Sequence, residues 1–244
     1  MGTAVISLTI TQKVLCSACF ATLLLGSEFA WSQRSSELSA DLPNTLTMAT
    51  QGKVEALFEA GDFERAFFIY RNGLAPIGDK YAQYMVGYMY LTGMGTEEDP
   101  VLASAWYRLA AERGTPEFVV VRDHLLSNLD EEERARSDVQ YIELRSEYCD
   151  LAVLLSSVKR DLREVESKTG SRIQSDSNAM MIIQPRSGRI QSGADYYGVL
   201  NAQLEDRLKL LQEVGDFQDM ETDPERVNLR DLERRVKEHI ESLD

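Results

Sequence analysis

The side chains able to do chemistry near neutral pH are few in this sequence. His124 and His239 are its two histidines, and a hydroxyl or water nucleophile would have to rely on one of them as base. His124 follows Asp123 on a weakly helical stretch, and His239 stands between Glu238 and Ile240; both read as surface or boundary residues. Of three cysteines, Cys16 and Cys19 fall in an apolar run near the N-terminus, leaving Cys149 without an internal disulfide partner. Cys149, His124 and His239 are too scattered for a zinc site. Glu131, Glu132 and Glu133 open a helix, where carboxylates suit the positive end of the dipole, and acid–base work by paired carboxylates is not distinguishable from that role. No nucleophile elbow, phosphate loop, metal-helix signature or dinucleotide fingerprint occurs. The expectation is no catalytic residue, no metal and no cofactor. Binding chemistry is better represented. Tyr81, Tyr84 and Tyr88 step by three and four along one helical stripe, and tyrosine suits recognition because it joins a large area to a polar tip.

The totals agree with a binding role. A chain of 244 residues with 43% apolar and 27% charged residues can bury a core in one or two domains. Its net charge of −14 repels nucleic-acid phosphate and anionic lipid, so neither is an expected partner.

Residues 1–32 read as a secretory signal. Gln12 and Lys13 precede the apolar run at 14–26, which is short for a membrane span. Ala30 and Ser32 are small residues placed for cleavage before Gln33; cleavage after Ala30, or retention as an uncleaved anchor, are the alternatives. The expected location is the periplasm or the exterior, with no stable membrane span once the signal is removed. Residues 33–46 are small and polar, a flexible lead-in.

From 47 to 128 helices alternate with short breaks. The first spans 47–60 and stops at Gly61; Asp62 caps a second that ends at Gly73. Asp79 caps a third, closed by the turn Gly93-Met94-Gly95. Asp99-Pro100 pairs a cap with a first-position proline and starts a fourth, closed at Gly114. Small residues at Ala82, Gly87, Ala103 and Ala110 let two helices cross closely, while Tyr90 and Trp106 fill the space between layers.

Ala82, Gly87, Tyr90, Gly93, Gly95, Asp99, Ala103, Trp106, Tyr107, Ala110, Ala111 and Gly114 stand where Sel1-like repeats place their signature residues. The stretch 82–114 therefore resembles one such repeat, a relative of tetratricopeptide repeats. Residues 50–76 resemble a degenerate preceding repeat, and a weaker following one begins near Glu117. The resemblance implies an adaptor or scaffold, with structural roles for the twelve signature residues. By analogy with related repeats it implies that the tyrosine stripe lines a concave surface; the alternative is that C-terminal helices cover the stripe as ordinary core.

Beyond residue 129 the apolar spacing changes. Tyr141, Leu144, Tyr148, Leu151, Leu155, Val158, Leu162 and Val165 form an unbroken heptad seam, widened by Ala152 and Leu154. Helices over 195–214 and from Asp223-Pro224 onward carry leucines that could pack into the seam as a bundle within one chain; self-association through the seam is the alternative. Residues 169–193 form a polar loop around Ala179–Ile183, a run that either tucks in or adds as a strand to a partner.

The expected fold is all-α: a short Sel1-like, tetratricopeptide-like α-solenoid followed by a C-terminal helical bundle or coiled-coil hairpin. The expected function is that of a periplasmic adaptor binding an envelope protein. The alternatives are a self-assembling structural component, and a β-lactam hydrolase of the kind linked to cysteine-rich relatives, whose paired repeat cysteines this sequence lacks.

Overall fold

The computed structural model describes residues 45–169, 181–183 and 190–243. The expectations for a signal at 1–32, for most of the lead-in and for much of the 169–193 loop lie outside the described residues.

Helix α1 (Thr45–Glu59) pairs with α2 (Phe63–Ile69). Gly73 does not end α2: the chain continues through a π turn at Tyr70–Leu74 and a 3₁₀ turn at Ala75–Ile77 before Gly78 stops it at φ +81°. Burying Tyr70, Leu74 and Ala75 outweighs the roughly 1 kcal/mol that a helical glycine costs. Asp62 sits at the start of α2, but its carboxylate takes Arg65 in place of a backbone N–H.

Among the described helices, α3 (Lys80–Thr92) and α4 (Pro100–Ala110) pack against each other most extensively. Asp79 accepts from the Ala82 N–H at 3.0 Å and Asp99 from the Leu102 N–H at 2.9 Å, so both caps form as their residue types require. A 3₁₀ turn (Ala111–Arg113) carries α4 to Gly114, which is left-handed at φ +69°. Helix α5 (Pro116–Asn128) packs on α4, and α6 (Glu131–Tyr148) lies along α4 through Ser104 and Ser137, both fully buried with their hydroxyls in contact. The break at 128–130 therefore interrupts the helices without interrupting the packing. Glu133 completes a capping box with Asp130.

The heptad seam is not one continuous helix. It breaks at Cys149, extended at ψ 161°, so that α6 ends at Tyr148 and α7 (Asp150–Thr169) starts afresh. The break releases the Asp150 N–H to bind the Glu112 carboxylate at 3.2 Å, a charge-assisted bond that replaces a helical one. Within α7, Leu151, Ala152, Val153, Leu154, Val158 and Leu162 are buried, a band wide enough for two partners. Helices α8 (Gly193–Val214) and α9 (Leu229–Ser242) both pack on α7, burying Leu200, Leu204, Leu208 and Leu211 from one and Leu232, Val236 and Ile240 from the other. Asp223-Pro224 makes a turn instead of the start expected there. Asn228 is the cap, accepting from the N–H groups of Arg230 and Asp231.

Two short strands interrupt the helical architecture. β1 (Met181–Ile183) pairs antiparallel with β2 (Ile190–Ser192), Ile182 opposite Gln191, and the hairpin leans on α8. The apolar run finds its strand partner inside its own chain. Among the described residues no helix is long and apolar enough to cross a membrane.

Candidate interaction site

The twelve signature residues build a close helix pair. A Cβ on Gly87 would meet the Ala103 carbonyl oxygen and the Trp106 Cβ, each at 3.3 Å, so the crossing of α3 and α4 uses the space that glycine leaves. Ala82, Ala103, Trp106 and Ala110 are fully buried, with Tyr107 and Ala111 nearly so. Gly93 ends α3 at φ +68°, and Gly95, at φ +74°, lies so close to the Phe63 backbone that a side chain there would collide with it. Tyr90 meets Phe67 edge-on at 5.2 Å between ring centres, and Trp106 meets Tyr148 at 5.0 Å.

The tyrosine stripe departs from its expected place. Tyr84 and Tyr88 are only 7% and 8% exposed, and Tyr81 is half-buried. The cover comes from neighbouring elements of the array, not from the C-terminal helices. Phe118 of α5 stacks on Tyr84 at 4.9 Å, Phe58 of α1 lies 6.4 Å from Tyr88, and Tyr70 lies 6.4 Å from Tyr81. Each adjoining turn brings an aromatic ring, and burying ring against ring is worth more than leaving a wet groove. Burial, with Glu55 and Asp79 nearby, pushes the Tyr81 hydroxyl up to about 12, so it stays protonated at physiological pH. The stripe is an aromatic core whose Tyr81 edge reaches solvent; Tyr84 and Tyr88 are corrected from contact residues to packing residues.

Where the helix pair meets α6 and α7, an ion cluster forms that sequence reading did not find, buried at Lys80 and Asp150 and partly open to solvent at Glu112. Lys80, 4% exposed at its side chain, donates to Glu112 Oε2 at 2.6 Å and to Gln83 Oε1 at 3.1 Å, and lies 3.2 Å from Asp150 Oδ1. Arg113 grips both oxygens of Asp150 at 2.8 and 2.9 Å. Gln83 Nε2 donates to the carbonyls of Tyr148 at 2.9 Å and Ala75 at 3.3 Å. Burial works against the charge on Asp150, but the bonds and charge of Arg113 and Lys80 outweigh it and hold its carboxyl below the usual range. Glu112 moves the other way: burial and the neighbouring Asp150 raise it against the pull of Lys80. Burial pushes the Cys149 thiol up to about 11, which makes it a poor nucleophile. Two acids and two bases here satisfy one another, and the arrangement fastens helices together. No local signal marks it, because Lys80 and Asp150 are 70 positions apart and meet only in the fold.

The remaining candidates do not converge. His124 lies exposed on α5 beside Asn128, His239 packs edge-on against Phe217 at 5.5 Å near the end of α9, and Cys149 is buried at the α6–α7 break. Among the described residues no group of histidine, cysteine and carboxylate side chains has the spacing to hold a metal ion. Two shallow depressions among the described residues are open to solvent, one around Phe217, Arg235 and His239, the other around Gly61, Gly95 and Glu97.

Compared with protein families, residues 80–115 match the Sel1 repeat. A search of curated proteins gave no match. A search of solved structures gave none either. The matched span runs from the first residue of α3 to one residue beyond Gly114, the helix pair that the twelve signature residues hold together.

Proposed function

We propose that this Sel1-repeat protein is an exported adaptor or scaffold that binds an envelope protein through the outer surface of its helical array. Sel1 repeats generally mediate protein–protein interaction and are typically non-enzymatic. The observation that carries the reading is the repeat at 80–115, folded as a closely packed pair whose aromatic interior is closed by the helices on either side. Export is supported by the apolar run at 14–26 with small residues at Ala30 and Ser32.

Site-specific photo-crosslinking in intact cells tests it. The crosslinking residue replaces Phe68 on α2 or Val120 on α5, which are 66% and 67% exposed, with Lys209 on α8 as a control position. The expected result is one discrete envelope protein captured from the array positions and absent from Lys209. Capture of a cytoplasmic protein, or equal capture from all three positions, contradicts the proposal.

A further inference from the structure

Helix α6 uses one side for the fold and leaves a patterned side unused. Ser137, Tyr141, Leu144, Arg145 and Tyr148 turn inward, with Arg145 donating to the Ile240 carbonyl at 2.6 Å and so fastening the end of α9. On the opposite side Ala135, Val139, Ile142 and Ser146 follow one another at intervals of four, three and four. All four are exposed, Val139 at 55% and Ile142 at 44%. That interval is the spacing of a helix–helix seam, and the small residues at its two ends let a second helix approach closely. Carboxylates edge the row on both sides: Glu132 and Glu143 along one, Glu131 and Asp138 along the other, with the cation Arg136 among them. Asp138 is in addition paired with Arg108 at 2.6 Å.

We infer that this row docks an amphipathic helix of the protein partner, one whose apolar stripe is flanked by lysine or arginine. The inference rests on the adaptor reading and specifies the chemistry of the partner. Charge chooses the occupant. The acidic edges attract a basic helix, whereas a second copy of a chain carrying −14 is repelled, as is an anionic lipid surface. The inner seam residues Tyr141, Leu144 and Tyr148 are at least half-buried within the chain, so the outward row is the side of α6 open to another helix.

The test uses the full chain and two synthetic helical peptides that share a leucine stripe, one edged by lysine and the other by glutamate. Binding is followed by fluorescence anisotropy at low and moderate salt. The lysine-edged peptide is expected to bind and the glutamate-edged one not. The double substitution Val139→Ser/Ile142→Ser, with its far-UV circular dichroism unchanged, is expected to weaken binding by about tenfold or more, a loss of about 1.4 kcal/mol. Glu132→Gln/Glu143→Gln is expected to flatten the salt dependence. Equal binding by the wild-type chain and Val139→Ser/Ile142→Ser, or no binding by the wild type, overturns the inference. So does a wild-type dimer in light scattering that this substitution abolishes, since the row then belongs to a second copy. If the peptide fails while crosslinking from Val120 still captures an envelope protein, the adaptor reading stands and the docking row falls.

Discussion

Tyr84 shows how a residue chosen for its chemistry can be claimed by packing. Its ring meets Tyr81, Tyr107 and Phe118, so truncation empties a space between three elements. Tyr84→Ala should cost about 3–5 kcal/mol in urea unfolding, whereas Tyr81→Ala, at the half-open edge, should cost clearly less. Equal small losses for both would mean that the stripe is a surface. Asp150 makes a second case at this scale. Its pKa is lowered in the fold, so it adds stability above the ordinary carboxylate range, and that stability is lost as pH falls through the depressed value. Glu112 is raised, so its ionised form costs stability at neutral pH, and protonation relieves that cost as pH falls through the raised value. Asp150→Asn should therefore cost about 3–5 kcal/mol at pH 7, because Lys80 and Arg113 lose a buried counter-charge. The gap from wild type should shrink below about pH 3.9, measured as unfolding free energy against pH. A gap that does not change with pH would remove Asp150 from the cluster's charge balance.

At the scale of the element, local backbone chemistry was legible and competition between distant partners was not. Asp79 and Asp99 cap as their types demand, and Gly93, Gly95 and Gly114 take the left-handed conformation that a tight exit needs. Gly73 and Asp223-Pro224 carry the same local signals, yet each lost to something further away. In the first, buried Tyr70 and Leu74 keep the turn going; in the second, Asn228 caps a helix that begins five residues after Pro224. The heptad seam was readable as an apolar band, but at its break the Asp150 N–H is taken up by Glu112, 38 positions away, which no local pattern signals. Two glycines separate backbone strain from crowding. Gly114→Ala has open space and should cost only about 1–2 kcal/mol, the penalty of a left-handed alanine. Gly95→Ala meets the Phe63 backbone as well and should cost well beyond that by chemical denaturation. Similar losses for the two would mean that α2 does not approach the Gly93–Gly95 turn.

At the largest scale, the described residues form a helical array continued by the C-terminal helices across a packed and ionic joint. Trp106 against Tyr148, Ser104 against Ser137 and the Lys80–Asp150 cluster link the Sel1 pair to α6 and α7; Asp161–Arg207 then ties α7 to α8, and Lys159–Glu233 ties it to α9. Charges that could have served contacts between chains are thus used within one. The helical architecture and the Sel1 signature were open to sequence reading because both rest on spacing and small residues. The closing of the tyrosine groove was not, since Phe58 and Phe118 come from elements on either side of α3 and their direction is set by packing. Hydrogen exchange on the purified full chain tests this most directly. The amides of Ala82–Met89 in α3 are expected to be among the slowest to exchange and to open together with those of α4 and α7. Rapid exchange along α3, with α4 and α7 still protected, would mean that the tyrosine face is an open groove and would contradict a closed aromatic core.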